Sequence, residues 1–131
     1  MGKLEDGKKI LKALGLPPQQ QTDIASYTLL ALAGIGKKTP WASATQPSMK
    51  IHAIKEWVGE TYGKVYAENT RETFRRQVLH QLEQARVVDR NPDDPTLPVN
   101  SPRTHYALTA DALAVVRAFG TSAFKAEAEK F

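Results

Sequence analysis

The helical spacing of apolar residues that runs from Leu4 to Ala85 stops at Val87, and this change of period constrains the fold most. Val87-Val88 is short and β-branched. Pro92, Pro95, Pro98 and Pro102 punctuate the polar stretch that follows, and His105-Tyr106-Ala107-Leu108 resumes an extended run. Two short strands around a long loop predict a hairpin. Thr109 then caps a helix from Ala110 to Phe119, Gly120 stops it, and Thr121 to Phe131 opens one more helical segment.

Four helical patterns precede the hairpin. Lys3 to Leu14 sets Leu4, Leu11 and Leu14 on one side and Lys8, Lys9 and Lys12 on the other, with Gly15 as the stop. Leu16-Pro17-Pro18 is a hinge, and Pro18 suits the first position of a second helix reaching Ala33, with Ile24, Tyr27, Leu30 and Ala31 facing inward. After a loop in which Trp41 is placed to plug the core, Met49 to Tyr62 carries the stripe Ile51, Ile54, Val58 and Tyr62, closed by Gly63. Asn69 with Glu72 three residues on is a capping-box arrangement. It opens a helix to about Ala85 whose inward face is Phe74, Val78, Leu82 and Ala85.

This order predicts a mainly α fold with a small β-hairpin, a winged helix-turn-helix domain with extra N- and C-terminal helices. Residues 1–16 form the N-terminal helix, and residues 17–120 form the winged-helix domain. Within it, the recognition helix spans about 69–85 and the wing about 87–108, and residues 121–131 begin a further helix.

At 131 residues, 41% of them hydrophobic, the chain is long enough for one ordinary domain with a true core. It has no cysteine, which excludes a disulfide framework, a zinc finger and a thiol nucleophile. No apolar run approaches the ~20 residues of a membrane span. The start, Met1 to Lys9, is too polar for a signal peptide. A cytoplasmic protein with no membrane partner is expected. The net charge of +4 favours anionic partners only mildly, so the placement of the cations matters more than their number.

At about 100° per residue, the face opposite Phe74 holds Asn69, Thr73, Arg76 and His80, flanked by Thr70 and Gln77. Arg71 and Arg75 lie nearer the apolar edge. Arg can bond guanine's acceptor edge with two donors, and Asn or Gln can do the same for adenine. Thr, His and a helix N-terminus can hold phosphates. The bland alternative is an ordinary solvated face, since Glu72 and Glu83 dilute the basic signal. The position immediately before a hairpin favours contact with double-stranded DNA. In the hairpin loop, Asn100, Ser101 and Arg103 offer donors to a backbone or minor groove, while Asp93 and Asp94 would repel phosphate and form the outer turn.

Catalytic patterns fail on inspection. Gly36-Lys37-Lys38 resembles the end of a phosphate loop, but Ala31 stands where the first Gly belongs and Lys38 replaces Ser or Thr. Pro92-Asp93-Asp94 invites comparison with a nuclease pattern, yet no Asp/Glu-x-Lys follows it. His52, His80 and His105 have no paired metal spacing. We therefore expect no catalytic residue, no metal site, no cofactor and no small-molecule substrate for this chain.

The stretch from Tyr62 to Gln81, with its Asn-Thr-Arg-Glu-Thr-Phe-Arg-Arg-Gln core at residues 69–77, resembles the N-terminal helix-turn-helix region of the BsuBI/PstI family of type II restriction endonucleases. So do Asn91-Pro92-Asp93-Asp94-Pro95 and Asn100-Ser101-Pro102-Arg103-Thr104-His105-Tyr106. The resemblance extends from about Ala13 to Phe124. It implies a prokaryotic restriction-modification system and a magnesium-dependent nuclease domain C-terminal to this one. That domain is absent here, so the chain is a fragment or a stand-alone relative, with residues 121–131 starting the connecting helix. Two alternatives stay open: a free-standing winged-helix transcriptional regulator, whose terminal helices could pair two copies as a homodimer, and a winged helix used only for protein contacts.

Overall fold

The computed structural model describes residues 2–98 and 101–131. Helices α1 (Lys3–Ala13) and α2 (Asp23–Ala33) pack against each other at a glycine. Gly7 is buried, and a Cβ placed there would lie 2.1 Å from Ser26 Oγ, which donates to the Leu4 carbonyl at 2.7 Å. The second helix starts later than the sequence predicts. Pro18–Gln20 is an isolated 3-10 turn, held to the hinge by Gln21 Nε2 donating to the Leu16 carbonyl at 2.8 Å. Thr22 is the true cap, its hydroxyl accepting from Ala25 N–H at 3.3 Å. Nor is α2 one-sided: Ala25, Ser26 and every residue from Thr28 to Ala33 are buried, whereas Ile24 and Tyr27 are only half-buried. A helix covered nearly all round is the central helix of a core.

α3 (Ile51–Tyr62) ends at Gly63, whose φ of 72° continues the chain in the left-handed region. The Tyr62 hydroxyl donates to the Ile35 carbonyl at 2.7 Å, tying α3 to the end of α2. Met49 precedes α3 instead of opening it. Its N–H and carbonyl pair with Tyr106 in an antiparallel bridge, at 2.9 and 2.8 Å. Its unpaired backbone polar groups are thereby satisfied by a residue 57 positions away in the hairpin.

A short 3-10 turn, Glu68–Thr70, leads into the next helix. We denote as α4 its π-helical stretch Thr73–Leu79 together with its α-helical stretch His80–Gln84. The capping box predicted from Asn69 and Glu72 is replaced: the Glu72 carboxylate turns forward to Arg75 and Arg76. The widened turn, with hydrogen bonds spanning five residues, also resets the inward face. Phe74 and Leu79 come into line, so Leu79 is fully buried with Phe74, Val78 and Leu82, and Ala85 is left half-buried. The Phe74 ring meets Tyr66 edge-on at 5.3 Å.

Arg86 (φ 62°) turns the chain out of α4 into the hairpin. β1 (Val88–Arg90) pairs antiparallel with β2 (Tyr106–Leu108), in the register Val88↔Leu108, Asp89↔Ala107 and Arg90↔Tyr106. Asn91 (φ 51°) is buried at the loop base and bonds His105 twice, its N–H donating to the carbonyl at 2.7 Å and its Oδ1 accepting from the N–H at 2.8 Å. Thr109 caps α5 (Ala110–Ala118) by accepting from Ala112 N–H at 3.1 Å. α6 (Phe124–Lys130) follows, and Trp41, half-buried, joins it through Phe119 with edge-on ring contacts of 5.5 and 5.1 Å. One apolar cluster joins α1 to α5 and both strands. Each fully buried Leu or Ile in it contributes roughly 1.5–3 kcal/mol.

Candidate nucleic-acid interface

α4 is fixed from beneath by Phe74, Val78, Leu79 and Leu82, so the positions between them point away from the core. Arg76, Gln77 and His80 are exposed there and Arg75 is half-buried, while ahead of them Asn69 and Arg71 are exposed and Thr70 and Thr73 are half-buried. The wider π turn explains why Thr73 leaves the outward line expected for an ideal α-helix. The Thr70 hydroxyl donates to the Ala67 carbonyl, which commits its hydrogen to the preceding turn.

The charges on this face are organised around one carboxylate. Arg75 donates Nε to Glu72 Oε1 at 3.0 Å and Nη2 to Oε2 at 2.8 Å, and Arg76 Nε lies 3.0 Å from the same Oε2. These bonds favour the charged form of Glu72 and hold its carboxyl below the usual range, chiefly through Arg75.

The hairpin loop folds back beside the start of α4. Ser101 and Thr104 share a small cleft with Arg71, Glu72 and Arg75. Ser101 Oγ accepts from the Arg103 N–H at 3.1 Å, a turn that leaves the Arg103 side chain exposed. Asn100 lies outside the described residues. Asp93 does more than form an outer turn. It bonds His105 Nε2, while His105 Nδ1 lies 2.8 Å from the Arg103 carbonyl. The carbonyl first, and then Asp93, raise the His105 pKa above 6.5, and the bond to His105 lowers that of Asp93. Asp94 accepts from Thr96 Oγ1 at 2.6 Å, as a turn residue does.

Arg90 escaped the sequence reading, which ended the first strand at Val88. Side-chain alternation places Arg90 on the same strand face as Val88, and the structure sets it in a second cleft with Arg75, Arg76, His80, Glu83 and Tyr106. Period-two spacing extended by one pair would have found it. Among the described residues no three His, Asp or Glu side chains are grouped to hold a metal, and no helix is long and apolar enough to cross a membrane.

Known proteins are similar to this chain in sequence and fold. The type II restriction enzyme BsuBI of Bacillus subtilis is 41% identical over 118 residues, covering 90% of this chain and 37% of that protein. The type II restriction enzyme AplI of Arthrospira platensis is 30% identical over 117 residues, covering 89% and 36%. The structure of SdaI restriction endonuclease superposes with a TM-score of 0.90 at 32% identity, over 94% of this chain and 39% of that one. The chain thus spans less than two fifths of the length of these relatives. Residues 1–131 match the family described as the BsuBI/PstI restriction endonuclease HTH domain, and the chain belongs to that family.

Proposed function

We propose that this domain binds double-stranded DNA sequence-specifically, as the target-recognition part of a type II restriction system in the prokaryotic cytoplasm. The observation that carries the reading is the joint placement of two elements. The exposed face of α4 presents Arg76, Gln77 and His80, with Asn69 exposed in the turn that precedes it, and the hairpin loop brings Ser101 alongside Arg71 just before the helix. Arg76 and Gln77 reach base edges in the major groove, where paired donors and acceptors distinguish base pairs. Arg71, Arg75, Thr73 and His80 hold phosphates and set the register. Thr70 contributes less, because its hydroxyl hydrogen is committed to Ala67. Arg103, with Ser101 and Asn100, grips the backbone or minor groove.

Cleavage, and the magnesium it would require, belongs in this reading to the part of the relatives' length that this chain does not span. Pairing of two copies would present two α4 helices to a two-fold symmetric site. Selection from a random duplex pool tests the reading: one enriched motif supports it, and retention of all duplexes alike or of none overturns it.

A further inference from the structure

The cleft between α4 and the hairpin holds a polar group that the protein itself does not use. Tyr106 is 2% exposed, yet no described residue hydrogen-bonds its hydroxyl. No sealed side-chain polar atom among the described residues lacks a partner, so that hydroxyl keeps some contact with solvent. Tyr106 lines both this cleft and the one shared by Arg71, Glu72 and Ser101. Glu83 and Arg90 line this cleft together with Tyr106. Arg90 Nε lies 3.7 Å from Glu83 Oε2, a loose pair that leaves most of the guanidinium donors free. Arg76 and His80, which also belong to the exposed face of α4, complete the rim. The space is about 200 Å³, below the roughly 300–1,000 Å³ of small-molecule sites, so it suits an oxyanion better than a nucleotide.

We propose that this cleft seats one backbone phosphate of bound DNA, with the Tyr106 hydroxyl and the Arg90 guanidinium donating to its non-bridging oxygens. The inference rests on the DNA-binding reading and adds a site to it. Glu83 holds Arg90 over the cleft in the free protein and yields it to the phosphate. Arg75 borders the same space but is tied to Glu72. Arg90 and Tyr106 face each other across the hairpin register, so the two donors are fixed by strand pairing.

The test titrates wild type, Tyr106→Phe and Arg90→Gln against a selected duplex and a scrambled one over a range of salt. Both variants should weaken both duplexes alike, by about threefold to tenfold, the worth of one good hydrogen bond. Arg90→Gln should also lower the slope of log affinity against log salt by about 0.9. Tyr106→Phe should melt like wild type, because the lost hydroxyl has no partner in the free protein. A duplex carrying one neutral methylphosphonate at the seated position should bind wild type and Arg90→Gln equally. An unchanged salt slope for Arg90→Gln, or no single neutral linkage that erases the difference, would overturn the proposal while wild-type binding keeps the broader reading. Displacement of the duplex by micromolar inorganic phosphate would assign the cleft to a free anion instead. Failure of wild type to bind any duplex would remove both readings together.

Discussion

Arg75 grips Glu72 with Nε and Nη2, one edge of its guanidinium, at 3.0 and 2.8 Å, and Arg76 reaches the same carboxylate at 3.0 Å. One carboxylate therefore occupies two of the arginines that the proposed interface needs. A DNA phosphate must displace it. Glu72→Gln should tighten binding to scrambled duplex about twofold to fivefold, the range of an exposed ion pair. The preferred duplex should gain less, so discrimination falls. Titration at fixed salt checks this, and equal affinities for variant and wild type on both duplexes would remove Glu72 from the binding path.

The α1–α2 contact predicts a steep response to one methyl group. An added Cβ at Gly7 would fall 2.1 Å from Ser26 Oγ and break its bond to the Leu4 carbonyl. Gly7→Ala should cost about 1–3 kcal/mol. Adding Ser26→Ala should recover part of the loss, since the two sites share one contact. Thermal unfolding of the single and double variants decides, and strictly additive losses would contradict the packing described.

Phe74 carries the attachment of α4 to the core. It is fully buried and edge-on to Tyr66. Phe74→Ala should cost roughly 3–5 kcal/mol in denaturant unfolding. A loss below about 1 kcal/mol would mean that the helix is held by other contacts.

The His105–Asp93 pair gives the hairpin loop a pH window. The folded His105 value lies above 6.5, so its stabilising contribution is complete below 6.5 and fades as pH rises through the raised value. Asp93 has the opposite sign: its folded value lies below 3.8, so its contribution is present above 3.8 and is lost as pH falls through the lowered value. The pair is fully formed between those limits. In an NMR titration Asp93→Asn should lower the His105 pKa only part of the way towards 6.5, because the Arg103 carbonyl is the larger cause. No change in the His105 titration would contradict the contact.

The legible parts of the fold were those written in local chemistry. The Thr109 cap, the glycine stops at Gly15 and Gly63, and the break of period at Val87 each act within a few residues, and each appears where the sequence places it. Distant partners were not legible. Nothing near Met49 announces its bridge to Tyr106, and no single residue in Thr73–Leu79 marks a five-residue hydrogen-bond span. The missed π turn explains two errors together, the burial of Leu79 and the retreat of Thr73 from the outward line. For the candidate site, the exposure of Arg76, Gln77 and His80 followed from the apolar stripe on the opposite side of α4. The contributions of Glu72 and Arg90 depend on which charges meet in space, and helical periodicity carries no record of that.

The most direct test of the account concerns Arg76, whose side chain is 75% exposed and whose pairing is with the similarly exposed Glu72. Fluorescence titration of wild type and Arg76→Ala against the selected and scrambled duplexes, at one salt concentration, separates the possibilities. The account predicts unchanged melting, a loss of about 1–3 kcal/mol on the selected duplex and little loss on the scrambled one. Equal losses on both would make Arg76 a phosphate contact, and no loss on either would contradict the placement of this face of α4 on DNA.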